Sequence, residues 1–189
     1  MQILTQHEEN IGKRDAKQPL VATIGFFDGV HLGHQYLIRQ VRKIAGQLGW
    51  GSAIVTFRQH PASVLSNRKS FRLLTSADEK LSLLEATGID YIVLMNFTHE
   101  LAQLSAKQYM KLLQRDYGIQ ALVIGYDHHF GHNPSLCFKD FEQYGAEIGM
   151  KVYQAEKYPN VEISSSAIRQ HIAKGNITLA EQLLGRKLP

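Results

Sequence analysis

The 189-residue sequence predicts an α/β fold, a parallel sheet with helices on both faces. Three observations carry that expectation. Short, β-branched apolar segments alternate with amphipathic ones. The apolar segments do not alternate with polar residues, which fits strands buried on both faces. Helix start and stop signals separate the two kinds of segment. A composition of 44% hydrophobic, 20% charged and 9% aromatic residues is that of an ordinary globular domain. A chain of this length can bury roughly 70% of its unfolded surface without metal or disulfide support. Disordered, collagen-like and coiled-coil classes are excluded.

Pro19 to Gly25, an apolar run closed by glycine, reads as the first strand. Leu37, Ile38, Val41, Ile44, Ala45 and Leu48 then recur at helical spacing, with Arg39, Gln40, Arg42 and Lys43 between them. Ser52 to Phe57 is the second strand, and the polar stretch from Arg58 to Leu74 a long loop. Ser76 with Glu79 makes a capping box for a helix that stops at Gly88. Tyr91 to Met95 is the third strand. Ser105 with Gln108 repeats the box for a helix ending near Gly118, and Ala121 to Gly125 is the fourth strand. A helix over 139–148, a strand over 151–155, and helices from Ser164 to Lys174 and Thr178 to Leu184 complete the pattern, the last with a box of Thr178 and Glu181. Ligands in such sheets sit beyond the strands' carboxyl ends, where strand order reverses. The loops 26–34 and 126–135 are therefore expected to meet there.

Charge and compartment narrow the partners. The net charge of +4 comes from scattered residues, with no run longer than Arg42-Lys43 or Arg186-Lys187, so the basic stripe of a nucleic-acid binder is missing. No stretch approaches the ~18 apolar residues of a membrane span, and the N-terminus lacks the apolar core of a signal peptide. The single cysteine, Cys137, fits a reducing compartment. The expectation is a cytoplasmic protein with no nucleic-acid or membrane partner.

The chemistry concentrates in Gly25-Phe26-Phe27-Asp28-Gly29-Val30-His31-Leu32-Gly33-His34. Its glycines lie four apart, which is neither the G-x-G-x-x-G of dinucleotide folds nor a P-loop. What remains is a turn entering a helix N-terminus, where free N–H groups and the dipole favour an anion. His31 and His34, three apart, project from one side of that first turn and can donate to phosphate oxygens; capping of backbone groups is the other reading. Zinc is a further one, since Asp127, His128, His129 and His132 add potential ligands, but no H-E-x-x-H is present.

On these residues the chain resembles the FMN adenylyltransferase domain of bacterial bifunctional riboflavin kinase/FAD synthetases, within the HxGH nucleotidylyltransferase superfamily. Gly25 to His34 resembles the family's G-x-F-D-G-V-H-x-G-H signature, and Thr56 to Pro61 its F-x-P-H-P segment. Gly125 to Gly131 is similar to its G-x-[DN]-F-x-F-G loop, and Ile163 to Arg169 to its [IV]-S-S-[ST]-x-I-R helix start. Phe26 stands where members usually carry a small or polar residue. Arg58 and Gln59 replace an acidic residue or proline, and Pro134 lies in a loop that is glycine-rich and basic in the family.

The resemblance implies a Rossmann-like fold and transfer of AMP from ATP to FMN, giving FAD and pyrophosphate with Mg2+ and no protein-bound metal. It makes His31, His34 and Arg169 catalytic, and Gly25, Phe26, Phe27, Asp28, Gly33, Ser164, Ser165 and Ser166 ATP-binding. Phe57, His60, Pro61 and Asp127 would bind the flavin. Two readings fit Asp28, a ligand or a turn-holding Asx bond, and His60 before proline is either a flavin contact or a structural turn. A diverged flavin- or nucleotide-binding protein without catalysis, and a transferase with another phosphate acceptor, are the competing functions. Residues 1–18 are expected to be an N-terminal extension and 19–189 the transferase domain. Relatives continue beyond Leu183-Leu184-Gly185-Arg186 into a riboflavin-phosphorylating barrel; ending at Pro189, this chain is expected to lack it and to depend on a separate riboflavin kinase.

Overall fold

The computed structural model describes residues 1–5, 18–65, 72–125, 130–133 and 135–188. Six strands form one sheet: β1 (Gln2–Thr5), β2 (Leu20–Ile24), β3 (Gly51–Phe57), β4 (Tyr91–Met95), β5 (Ile119–Ile124) and β6 (Lys151–Gln154). Their order is β1-β4-β3-β2-β5-β6, and every neighbouring pair is parallel. The expected Rossmann-like α/β architecture is therefore present. Strand order reverses between β2 and β5, because the chain leaves β2 toward β3 and β4 and later returns to β2's other edge.

The helices are α1 (Leu32–Leu48), α2 (Pro61–Leu65), α3 (Ala77–Glu85), α4 (His99–Gln103), α5 (Ala106–Tyr117), α6 (Phe138–Ile148), α7 (Ser165–Ala173) and α8 (Ile177–Leu184). Successive strand residues point to opposite faces, so the wholly buried β2 feeds two cores. Val21 packs with Ile38, Val41 and Ala45 of α1 and Leu84 of α3. Leu20 and Ala22 pack with Tyr109, Met110 and Leu113 of α5 and Phe141 of α6. Each fully buried side chain of this size contributes about 1.5–3 kcal/mol. A third cluster, Ile168, Ala180 and Leu184 with Leu74 and Ile163 against it, locks α7 to α8. No helix among the described residues is long and apolar enough to cross a membrane.

Where structure and expectation differ, the causes are local. Gln2–Thr5, inside the stretch read as an extension, adds an edge strand on β4. The loop after β3 contains α2, which Pro61 opens at its first position while His60 Nδ1 accepts from Ala62 N at 3.1 Å. The box of Ser105 and Gln108 forms with both bonds, at 3.2 and 2.8 Å, and Ser76 Oγ accepts from Glu79 N. Thr178 does not cap α8. Asn176 takes that place because the tight turn after α7, with Gly175 at φ 78° and Asn176 N bonded to His171 O, starts the helix two residues earlier.

Candidate active site

A cleft of about 680 Å³ opens at the ends of β2 and β5, between the starts of α1 and α7. Its floor is the turn after β2. A Cβ at Gly25 would lie 2.9 Å from Phe27 Cζ, so only glycine lets the chain pass that ring. Phe27 and Val30 hold left-handed conformations, φ 58° and 41°. Such strain costs of order 1–3 kcal/mol per residue and persists only where surroundings impose it. Here both side chains are buried in the α1-side core.

Asp28 ties the site together. It is 3% exposed, and both carboxylate oxygens are occupied by protein groups. Oδ1 accepts from Leu74 N (2.8 Å) and Thr75 N (3.3 Å), and Oδ2 from Arg169 Nη1 (2.5 Å). Its carbonyl accepts from Ser165 Oγ at 2.9 Å. The turn-holding reading is thus realised on a larger scale, across three segments.

His31 is the N-cap of α1, with Nδ1 accepting from His34 N at 3.2 Å. That bond places the neutral ring's proton on Nε2. Burial pushes its pKa down to about 4, so the ring is neutral at physiological pH. His34 stacks on it, centroids 3.6 Å apart, and meets Phe27 edge-on. A Cβ at Gly33 would stand 3.2 Å from His31 Nδ1, so any larger residue there would crowd the ring above the cap. At α7 the three serine hydroxyls are already engaged. Ser164 Oγ caps Ala167 N, Ser165 Oγ donates to Asp28, and Ser166 Oγ accepts from Arg169 Nη2. What α7 offers a ligand is therefore its first N–H groups, the guanidinium and the O–H donors of Ser164 and Ser166, whose oxygens only accept in these bonds.

Most residues singled out in the sequence line this cleft: Gly25, Phe26, Phe27, Asp28, His31, Gly33, His34, His60, Ser164, Ser165, Ser166 and Arg169. Phe57 and Pro61 do not. Phe57 turns into the core, edge-on to Phe97 at 5.3 Å, and Phe130 likewise packs on Tyr109 and Phe141. Asp127, His128, His129 and Pro134 lie outside the described residues. His132 is exposed, and among the described residues no three His, Cys, Asp or Glu side chains converge as metal ligands.

Sequence reasoning missed two parts of the site. One is the wall from Ala155 to Ile163, clamped to α1 by Tyr36 Oη donating to Glu156 Oε2 (3.0 Å) and by paired bonds between Gln40 and the Glu156 backbone. The i,i+4 spacing of Tyr36 and Gln40 was its only sequence trace. The other is Lys80 on α3, buried behind Phe26. Phe26 in turn meets His60 edge-on at 4.6 Å. Burial pushes the His60 pKa down; the Asp28 charge opposes this, and Arg169 and Lys80 add to it.

Known proteins resemble this chain along most of its length. The chain is 34% identical over 167 residues to a bifunctional riboflavin kinase/FMN adenylyltransferase of Listeria monocytogenes, covering 87% of this chain and 53% of that protein. It is 32% identical over 168 residues to the protein of that name from Escherichia coli K12, covering 87% and 54%. The chain thus spans about half the length of these relatives. A crystal structure described as a macrolide-efflux protein from Streptococcus pneumoniae superposes with a TM-score of 0.80 at 26% identity, covering 98% of this chain and 72% of that one. The profile of the FAD synthetase family matches residues 13–168. With more than half of its length inside that match, the chain belongs to the FAD synthetase family.

Proposed function

We propose that this chain transfers the adenylyl group of ATP to the phosphate of FMN, giving FAD and pyrophosphate. The observation that carries the reading is the convergence of two helix N-termini, those of α1 and α7, on one cleft in a member of the FAD synthetase family. An oxygen of the FMN phosphate attacks the α-phosphorus of ATP, the bond from that phosphorus to the bridging oxygen breaks, and pyrophosphate departs with the electron pair. Such a displacement needs little covalent chemistry and depends on positioning and charge stabilisation.

The residues supply both. The N–H groups of Leu32 and Gly33, and of Ser165 and Ser166, have no acceptor within their helices and face anions favourably through the helix dipoles. His31, neutral with Nε2–H, donates to an α-phosphate oxygen, and His34 works beside it. Arg169, held by Asp28, meets the leaving phosphates. His60 forms the flavin-phosphate side, and Phe26, expected from the resemblance to bind ATP, is assigned to that side instead because its ring meets His60 edge-on. Magnesium enters on the nucleotide, as MgATP, where it neutralises phosphate charge. The relatives' printed name also includes riboflavin kinase, so FMN would come from such an activity. A lone cysteine fits the cytoplasmic setting we assign.

The test is incubation with FMN and ATP-Mg. FAD and pyrophosphate should appear in equal amounts, with loss in His31→Ala and His34→Ala. Absence of both products under conditions where FMN and ATP bind would refute the activity.

A further inference from the structure

The transfer reading leaves one buried charge without a task. Lys80 is 2% exposed, and no carboxylate forms an ion pair with it among the described residues. Its ammonium donates to Phe57 O (2.8 Å) and Thr56 Oγ1 (3.4 Å) and lies 3.8 Å from the centroid of the Phe26 ring. Thr56 Oγ1 donates onward to Phe26 O at 3.1 Å, so the same bonds fix backbone and ring of Phe26. Phe26 also meets His60 edge-on at 4.6 Å, and both rings line the cleft while Lys80 does not.

Burying an ammonium among neutral acceptors is unfavourable. Burial pushes the Lys80 pKa down to about 8, with Asp28 pulling the other way, and the group remains mostly charged at pH 7. Methionine would fill similar space without that cost, so packing alone does not call for a cation. The neighbouring Asp28 and Arg169 pair with each other, which leaves Lys80 as the excess positive charge behind this wall. A charge in a poorly screened interior projects its field further than one in water.

We propose that Lys80 is a positioning residue for the acceptor: it holds Phe26 against His60 and projects positive potential through that pair toward the acceptor's phosphate. This rests on the adenylyl-transfer reading, which assigns that side of the cleft to FMN. Lys80 itself touches no substrate.

The experiment compares wild type with Lys80→Met in equilibrium binding of FMN, riboflavin and ATP, together with thermal unfolding. FMN binding should weaken about tenfold, equivalent to ~1.4 kcal/mol. Binding of riboflavin, the same ring without phosphate, and of ATP should stay within about twofold of wild type. The thermal midpoint should change little, because removal of a buried charge offsets loss of the donor to Phe57 O. Unchanged FMN binding overturns the proposal. So does equal weakening for riboflavin, or a fall in midpoint accompanied by loss of all three ligands, since either makes Lys80 a packing residue. Wild type that binds FMN more tightly than the variant yet forms no FAD refutes the transfer reading and leaves this inference standing. Wild type that binds no FMN refutes both.

Discussion

The two helix starts that face the cleft are assembled by opposite means. At α1, the turn is self-made: His34 N bonds His31 Nδ1 three residues away, Val30 N bonds Phe27 O, and the glycines admit the rings packed against them. At α7, the key cation is held from 141 positions away, by Asp28. The first device draws its cap bonds from within ten residues, with core packing imposing the left-handed Phe27 and Val30. The second exists only once the whole sheet has formed, so its damage should spread to stability, whereas damage at His31 should stay with the chemistry.

The hardest blow to that distinction is Asp28→Ala. It removes the buried carboxylate that holds Arg169 Nη1 and the acceptor for two backbone N–H groups, so stability should fall by about 3–5 kcal/mol. Urea unfolding measures this, and Asp28→Asn, which keeps one oxygen acceptor, should lose clearly less. If Asp28→Ala unfolds like wild type but fails only in turnover, Asp28 acts as a ligand and the remote device is misread.

His31→Ala should instead cost turnover, lowering kcat/KM for MgATP by about 100-fold, or ~3 kcal/mol, as loss of one preorganised donor does. It also carries a pH signature. The folded pKa of about 4 lies below the ordinary 6.5, so the unfolded chain binds more protons between these values. Wild-type stability is complete above pH 6.5 and is lost as pH falls toward 4, by up to ~3 kcal/mol. The variant lacks this loss. Acidification from pH 6.5 toward 4 should therefore lower wild-type stability by more than the variant's, and an equal fall in both would mean His31 is not the buried neutral ring described.

Gly25→Ala strikes the local device sterically. The new Cβ, 2.9 Å from Phe27 Cζ, must push a buried ring that also abuts His34, at a cost of about 2 kcal/mol. ATP affinity should weaken along with stability. Free accommodation, seen as an unchanged midpoint, would show that the turn is softer than its left-handed Phe27 and Val30 suggest.

The same local-versus-remote division explains what could be read from the sequence. Strands and long helices declare themselves by period, and Gly25 to His34 marked its site because every part lies within ten residues. Four-residue β1, mostly exposed, buries one apolar side chain fully, Leu4, and offers no period to detect. Phe57 looks like any aromatic at a strand end; only Phe97, forty residues on, turns it into the core. Lys80 sits in an amphipathic helix where lysine ordinarily means solvent, and only the end of β3 reveals its burial. That Asp28 and Arg169 form a pair has no trace in either motif alone.

The smallest effect separates the two devices within a single helix start. Ser164→Ala removes an N-cap, the bond from Ala167 N, and should cost about 1 kcal/mol. Ser165→Ala removes a bond of similar worth, about 0.5–1.5 kcal/mol, but one that fastens α7 to the Asp28 carbonyl. Single variants measured by urea unfolding will therefore look alike. Double variants with Asp28→Asn will not. Ser164 acts on its own helix, so its cost should add to that of Asp28→Asn within about 0.5 kcal/mol. Ser165 and Arg169 are parallel fastenings of α7 to one residue. Once Asp28→Asn has loosened α7, the Ser165 bond holds less, and the combined cost should fall short of the sum by more than that margin. Additivity for both serines would mean the two fastenings are independent, and the start of α7 would then be as locally determined as that of α1.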